Sequence, residues 1–164
     1  MLPFQLPLGT VFLVGMPGSG KTTIGNYIAE KHHRPFLDLD AVIESNTHQT
    51  INNLFAEKGE TDFRNIESNT LKNLELPPNS IVSLGGGTPC FNNNLQWLKE
   101  NGTIIYLKQP VNMLIKRLAA EKDTRPLLAN TTLENLEEKI TQLLLTREVY
   151  YLQADIVWLN PCIN

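Results

Sequence analysis

Near its amino terminus the chain reads Val11-Phe12-Leu13-Val14-Gly15-Met16-Pro17-Gly18-Ser19-Gly20-Lys21-Thr22-Thr23, and this stretch decides the fold. The apolar residues at its start predict a short buried strand over about 10–14. The pattern G-x-x-x-x-G-K-T follows the strand at once, and periodic apolar residues then predict a helix over about 21–32. A strand, a glycine-rich loop and a helix in this order are typical of a phosphate-binding loop.

The chemistry of this loop depends on backbone N–H groups. Glycines let successive N–H groups turn toward phosphate oxygens, and the helix behind the loop adds the positive end of its dipole. The Lys21 ammonium can reach the outer phosphates, and the Thr22 hydroxyl is placed to hold a magnesium ion. A chance match in a glycine-rich turn is the alternative, and the flanking strand and helix count against it. The predicted nucleotide-binding residues of the loop are Gly18, Ser19, Gly20, Lys21, Thr22 and Thr23.

The composition predicts one globular domain over residues 1–164, with 41% hydrophobic and 19% charged residues. The net charge of −3 counts against nucleic acid as a partner. No apolar run reaches the roughly 18 residues that a membrane-spanning helix needs, and the amino terminus lacks the charged region of a secretory signal. We therefore expect a cytoplasmic protein with no membrane partner. The two cysteines, Cys90 and Cys162, do not have the spacing of metal ligands.

Strand-like and helix-like segments alternate along the rest of the chain. Predicted strands cover about 35–40, 80–84, 103–107 and 154–159, and predicted helices cover about 41–45, 51–58, 61–74, 92–100, 110–120 and 131–152. This alternation predicts an α/β fold in which a central five-stranded parallel sheet is flanked by helices. Ligands of such sheets bind at the carboxyl ends of the strands. The polar segment at about 121–130, which contains Pro126, predicts a mobile lid loop.

Two carboxylates, Asp38 and Asp40, end the second predicted strand. Residues two apart on a strand share one face, so we expect both side chains to point the same way beside the phosphate loop. Phosphoryl transfer from a nucleotide needs one acidic group near magnesium and another near the attacking hydroxyl. A pair of solvated loop carboxylates is the alternative, and the position beside the phosphate loop favours the chemical role.

A run of three glycines, Gly85, Gly86 and Gly87, follows the third predicted strand. Such a run indicates either a backbone that a ligand approaches closely or a flexible turn. A turn rarely needs three glycines, so we favour the approach of a ligand.

Three arginines, Arg64, Arg125 and Arg147, are the remaining candidates for an anionic ligand. Guanidinium groups bind carboxylates and phosphates with paired hydrogen bonds, so arginines far apart in sequence can converge on one ligand. A surface ion pair is nevertheless the commoner role of a lone helical arginine. The physical chemistry of the residues alone leaves these roles open.

Six elements, taken together, resemble the shikimate kinase family, and the resemblance covers nearly the whole chain. The elements are Gly15 to Thr22, Leu37-Asp38-Leu39-Asp40, Phe63-Arg64 with Glu67, Ser83-Leu84 with the three glycines, Arg125-Pro126-Leu127-Leu128, and Arg147 before Tyr150-Tyr151. Many enzymes share the phosphate loop, whereas six elements in this order are specific. The resemblance implies a three-layer P-loop kinase fold, related to that of the nucleoside monophosphate kinases, in a monomeric cytoplasmic enzyme.

The resemblance also implies a reaction, the ATP- and magnesium-dependent phosphorylation of the 3-hydroxyl group of shikimate, on the route to chorismate and the aromatic amino acids. Asp40 would hold the attacking hydroxyl and accept its proton. Lys21 and Arg125 would neutralise charge on the transferring phosphoryl group, with Arg125 delivered by closure of the lid. Thr22 would ligate magnesium directly, and Asp38 would hold the ion through water.

The same resemblance implies how both substrates are held. The implied substrate-binding residues are Asp40, Arg64, Gly85, Gly86, Gly87 and Arg147. Glu67 would orient the Arg64 guanidinium, Arg117 would lie against the adenine, and Arg125 would also contact ATP. The family continues past the fifth strand into an adenine-contacting loop and a final helix, whereas this sequence ends at Asn164. We therefore expect a purine pocket that is incomplete or built differently.

Two other interpretations stay open at this point. Another small-molecule kinase, such as a gluconate or nucleotide kinase, would combine the same phosphate loop with a different acceptor pocket. A non-catalytic nucleotide-binding switch would use the same loop. The sequence has no Asn-Lys-x-Asp stretch for reading guanine, and its Lys21, Thr22, Asp38 and Asp40 count against a loss of catalysis. The pair Arg64 and Arg147 fits a compact carboxylate better than either alternative.

Overall fold

The strands and helices alternate along the chain in a computed structural model that describes residues 2–121 and 133–161. The strands are β1 Val11–Val14, β2 Phe36–Asp38, β3 Ile81–Ser83, β4 Thr103–Lys108 and β5 Ile156–Leu159. The helices are α1 Lys21–Lys31, α2 Leu39–Thr47, α3 Ile51–Lys72, α4 Asn94–Asn101, α5 Val111–Glu121 and α6 Leu133–Tyr151, with a 3₁₀ turn at Thr88–Cys90.

The five strands form one parallel sheet in the order β2-β3-β1-β4-β5. β1 lies at the centre of the sheet, and Leu13 pairs with Ser83 of β3 on one side and Ile105 of β4 on the other. No residue of β1 is more than 1% exposed, as expected for a parallel strand covered on both faces. The predicted five-stranded parallel sheet flanked by helices is therefore confirmed, and the loop after β1 starts at the middle of the sheet.

Each face of the sheet carries its own apolar core. On one face, Ile24 and Ile28 of α1 pack against Val11 and Leu13. On the other face, Phe12 and Val14 join the apolar residues of α2 to α6 in a larger cluster. The alternation of side chains along β1 thus supplies both cores and holds helices in a layer on each side of the sheet.

The second strand ends earlier than predicted, and this corrects the expected geometry of the acidic pair. β2 stops at Asp38, and Asp40 lies in the first turn of α2. Asp38 is the N-cap of this helix, since its Oδ1 accepts hydrogen bonds from the backbone N–H groups of Asp40 (3.1 Å) and Ala41 (3.4 Å). An aspartate is among the best N-cap residues, so the helix begins where a strand was expected to continue. The prediction that both carboxylates share one strand face was wrong.

The two helices predicted over about 51–58 and 61–74 are both present within α3. They meet at a kink at Gly59, where the backbone is not helical. Gly59 has φ +78°, a left-handed conformation that interrupts the helical backbone and favours glycine. The prediction of a first helix that stops at Gly59 and a second that starts after it is therefore confirmed.

Nearly all of the predicted lid at about 121–130, including Arg125, falls outside the described residues. Within the described ranges, none of the helices combines the length and the apolar character that crossing a membrane requires.

The contact of α1 with the sheet predicts an unusual cost for a substitution of Gly25 by alanine. A Cβ atom at Gly25 would lie 2.5 Å from a ring carbon of Phe36 and 3.0 Å from Leu13 Cδ1. Alanine favours a helix by about 1 kcal/mol over glycine, but overpacking a rigid core contact costs about 1–3 kcal/mol. We expect Gly25→Ala to lower the free energy of unfolding, measured by urea denaturation. Glu30→Ala, at an exposed position of the same helix, is the control, and a Gly25→Ala protein as stable as the native chain would contradict the packing.

Candidate active site

The loop between β1 and α1 is built to expose backbone N–H groups. Gly15, Gly18 and Gly20 have φ values of +144°, +78° and +91°, conformations that favour glycine. A Cβ atom at Gly15 would also lie only 2.8 Å from the carbonyl oxygen of Leu107. No side chain caps the start of α1, so the first N–H groups of the helix are left to face an anion.

Lys21 lies at the centre of this loop. Its ammonium donates hydrogen bonds to the carbonyl oxygens of Gly15 (2.9 Å) and Met16 (3.0 Å), and the residue is buried. These contacts hold the positive charge within the curve of the loop. A phosphate group in the loop would therefore meet both the backbone donors and a pre-positioned cation.

Three oxygen-bearing side chains meet beside Lys21 at the ends of β2 and β3. The Thr22 hydroxyl donates to Asp38 Oδ2 at 2.7 Å, and it lies 3.4 Å from the hydroxyl of Ser83. Hard oxygen ligands of this kind suit magnesium, which usually takes one or two protein oxygens and completes its shell with water and phosphate. The described residues contain no cluster of three or more His, Cys, Asp or Glu that could hold a metal. The donor set fits a metal that is shared with a phosphate ligand.

A cavity of about 550 Å³ opens over the phosphate loop. It is lined by Pro17, Gly18, Gly20, Lys21, Thr22, Thr23, Ile24, Asp38, Asp40, Ser83, Leu84, Gly85, Gly86, Arg117 and Pro161. Because β2 and β3 lie on one side of β1, their carboxyl ends bring Asp40 and Gly86 to one side of the loop. The ends of β4 and β5 lie on the other side, where Pro161 follows the last strand. The structure thus brings most of the predicted site residues into one space.

The three glycines after β3 are each in close contact with a different part of the site. A Cβ atom at Gly85 would lie 2.8 Å from Glu67 Oε1 and 3.1 Å from Asp40 Oδ1. A Cβ atom at Gly86 would meet Pro17 of the phosphate loop at 2.7 Å. A Cβ atom at Gly87 would lie 2.5 Å from Nη2 of Arg64. The close approach of other protein groups therefore already explains why glycine stands at all three positions.

Arg64 does not line the cavity but lies behind the glycine turn, 5% exposed. Its Nη1 donates to Glu67 Oε2 at 2.9 Å, in the position that the resemblance implied for Glu67. The other oxygen of Glu67 accepts from the Thr88 hydroxyl at 2.6 Å. A chain of buried hydrogen bonds then runs from the Thr88 carbonyl through the Asn94 amide to the hydroxyl of Ser68. This network ties α3 to the turn that follows β3.

Arg147 on α6 is also 5% exposed and reaches the same turn. Burial raises the pKa of the Cys90 thiol to about 11, although the nearby positive charges of Arg147 and Arg64 favour the thiolate and so lower the pKa. Two arginines that are distant in sequence therefore both lie near Cys90. Among the described residues, the ion pairs of arginine involve Arg64 and not Arg147.

Tyr151, one helical turn after Arg147, fastens α6 to the same turn. Its buried hydroxyl donates a hydrogen bond to the carbonyl oxygen of Gly86 and lies 3.8 Å from Met16 Sδ in the phosphate loop. Burial raises the pKa of Tyr151, so the hydroxyl keeps its proton for this contact. Sequence analysis predicted no binding or catalytic role for Tyr151, Thr88 or Ser83. Ser83 and Tyr151 belong to elements of the family resemblance, whereas Thr88 carried no signal in the sequence.

Arg117 lies on α5 beside the phosphate loop rather than away from it. Its Nη1 donates to the carbonyl oxygen of Gly18 at 2.9 Å, and the side chain lines the cavity. The contact with adenine that the resemblance implied for Arg117 stays a prediction, as do the roles of Arg125.

The chain is similar to shikimate kinases by sequence and by structure. The family model described as shikimate kinase matches residues 17–160. A shikimate kinase of Parabacteroides distasonis is 41% identical over 148 residues, which span 90% of this chain and 86% of that protein. The crystal structure of shikimate kinase from Bacteroides thetaiotaomicron superposes with a TM-score of 0.86 at 37% identity, covering 93% of this chain and 86% of that one. Shikimate kinase from Acinetobacter baumannii in complex with shikimate gives a TM-score of 0.86 at 35% identity, covering 95% and 86% of the two chains.

The environment of Cys90 predicts slow reaction with alkylating agents. The thiolate is the reactive form, and with a pKa of about 11 only about one thiol in a thousand is ionised at pH 8. Since the pKa is raised, the reaction rate should increase roughly tenfold for each unit of pH between 8 and 10. The measurement is carboxamidomethylation of the Cys162→Ser variant, followed by mass spectrometry. A rate at pH 8 equal to that of a free cysteine peptide would contradict the burial of the thiol.

Proposed function

The chain belongs to the shikimate kinase family, and we propose that it transfers the γ-phosphoryl group of ATP to the 3-hydroxyl group of shikimate. The product is shikimate 3-phosphate, on the route to chorismate and the aromatic amino acids. One observation carries the proposal at the level of geometry: a single cavity is lined by both the phosphate loop and Asp40, with two buried arginines behind its glycine turn. A phosphate donor and a carboxylate-bearing acceptor are the two ligands that this combination accommodates.

The donor half of the site would hold the phosphates of ATP. The loop N–H groups and the start of α1 would face the phosphate oxygens, and Lys21 would exchange its two carbonyl partners for them. Thr22 would ligate magnesium directly, and Asp38 would contact it through water, which agrees with the hydrogen bond between these side chains. When bound, magnesium neutralises charge on the phosphates. Arg125, from outside the described residues, would add a further positive charge.

The acceptor half would position one hydroxyl group. Both carboxylates line the cavity. Asp38 accepts hydrogen bonds from Thr22 and from the start of α2, whereas Oδ1 of Asp40 lies beside Gly85. In the transfer step, the 3-hydroxyl oxygen forms a bond to the γ-phosphorus while the bond from that phosphorus to the bridging oxygen of ADP breaks. The hydroxyl proton passes to the Asp40 carboxylate, and ADP leaves with the bridging electrons. Phosphoryl transfer asks for this positioning rather than for a covalent nucleophile on the protein.

Arg64 and Arg147 would bind the carboxylate of shikimate next to Gly86. Their approach to the same turn from α3 and α6 supports this assignment over a neutral sugar or a nucleotide base. A nucleotide-binding switch would not need a pair of buried arginines at this point. The proposal also includes that the enzyme is a monomer, is cytoplasmic and does not bind nucleic acid.

A coupled assay of ADP release tests the reaction directly. We expect turnover with ATP, magnesium and shikimate, and none above background when gluconate or a nucleoside monophosphate replaces shikimate. Turnover with one of those acceptors but not with shikimate would refute the proposal.

The role of Asp40 predicts a separation of catalysis from nucleotide binding. Asp40→Asn removes the group that orients and deprotonates the hydroxyl, so kcat should fall by about 10²–10⁴ while the Kd for ATP stays within about twofold. Asp62→Asn, at an exposed position of α3, is the control and should retain native kinetics. An Asp40→Asn enzyme with native kcat would remove Asp40 from the mechanism.

A further inference from the structure

Two carboxylates of the chain itself, those of Glu60 and Glu67, accept hydrogen bonds from Arg64. A guanidinium carries five N–H donors in a flat fork, and its side edge is formed by Nε and one terminal nitrogen. Along this edge, Nε (3.3 Å) and Nη2 (3.0 Å) both point to Oε1 of Glu60. The remaining terminal nitrogen, Nη1, donates to Glu67 at 2.9 Å. The edge that best receives a carboxylate with paired hydrogen bonds is therefore taken by Glu60.

The two faces of the guanidinium are also covered. A Cβ atom at Gly87 would be almost equally close to Nη2 (2.5 Å), Cζ (2.6 Å) and Nη1 (2.7 Å), so the backbone of Gly87 lies over one face. The ring centroid of Phe91 lies 4.6 Å from Cζ, and those of Phe63 and Phe55 lie at 5.2 and 5.6 Å. With 5% of Arg64 exposed, a ligand gains the paired edge only if one of its partners leaves.

The two carboxylates differ in how firmly they are held. The side chain of Glu67 is 1% exposed, and its second oxygen accepts from Thr88 at 2.6 Å. The side chain of Glu60 is 44% exposed and follows directly on the kink at Gly59. A half-exposed ion pair is worth little, whereas a buried carboxylate with two partners is costly to displace. Glu60 is the partner that can leave.

We infer that Glu60 occupies the place of the substrate carboxylate on Arg64 and that the acceptor binds by replacing it. The inference rests on the proposed function and identifies Glu60 as a residue that determines specificity. A ligand that carries a carboxylate restores the pairing of the buried guanidinium after Glu60 turns to solvent. A neutral analogue restores nothing, because displacement would leave a buried charge without its partner. The site therefore selects for the acid through exchange of one carboxylate for another.

The alternative role for Glu60 is to orient Arg64 while the substrate binds elsewhere on the guanidinium. The two roles predict opposite signs. A competing carboxylate weakens substrate binding, so its removal should strengthen binding. An orienting carboxylate strengthens substrate binding, so its removal should weaken it.

The test compares Glu60→Gln with the native chain in calorimetric titrations of shikimate and of its methyl ester. Glutamine keeps the size of the side chain and loses the charge. We expect the Kd for shikimate to fall by about two- to fivefold, as an exposed pair allows, and the Kd for the ester to stay above that for shikimate in both proteins. Glu60→Ala should lower the Kd for shikimate by a similar factor. Glu57→Gln, at an exposed position two residues before the kink, is the matched control and should change neither value.

Weaker or unchanged binding of shikimate by Glu60→Gln, or a native chain that binds the ester as tightly as the acid, would overturn the inference while leaving the proposed function intact. A native chain that neither binds nor phosphorylates shikimate would overturn the proposed function and the inference together. The titration of the native chain distinguishes these two failures.

Discussion

The buried carboxylate of Glu67 is the interaction on which the geometry of the acceptor side depends. It is 1% exposed and accepts hydrogen bonds from Arg64 on α3 and from Thr88 in the turn after β3. A charge in such a place is tolerated only when it is fully paired, and removal of one partner typically costs about 3–5 kcal/mol. Glu67 therefore fixes α3 against the glycine turn, and the absence of a side chain at Gly85 lets the carboxylate approach within 2.8 Å of where a Cβ atom would be.

The phosphate loop depends on the same turn from its other side. Pro17 packs where a Cβ atom of Gly86 would be, and Tyr151 bonds to the Gly86 carbonyl while touching Met16. The turn is thus held between the donor loop, α3 and α6. Asp38 and Asp40 both line the cavity but have different surroundings, because Asp38 caps α2 and binds Thr22 whereas Oδ1 of Asp40 lies beside Gly85. The two carboxylates differ because α2 begins between them, with Asp38 as its N-cap and Asp40 in its first turn.

The sequence predicted the sheet and the phosphate loop well because their signals are local. Apolar strands that alternate with helices, and a glycine pattern between a strand and a helix, are sufficient for that part of the fold. The start of α2 was missed because an aspartate that ends a strand and an aspartate that caps a helix look alike in sequence. The burial of Arg64 and Arg147 could not be derived from a helical pattern, since it depends on contacts between distant segments. Only the resemblance to a family brought these residues into the site. Neither the helical pattern nor the resemblance indicated that Glu60 competes for Arg64.

The central claim is that one cavity holds a phosphate donor against Asp40 while two buried arginines hold the carboxylate of the acceptor. A crystal structure of the protein with ADP, magnesium and shikimate measures this most directly. The account predicts the 3-hydroxyl oxygen within about 2.6–3.2 Å of the Asp40 carboxylate, the acid group on Arg64 and Arg147, and magnesium on the Thr22 hydroxyl. A ring bound with its carboxylate away from both arginines, or with the 3-hydroxyl out of reach of Asp40, would contradict it.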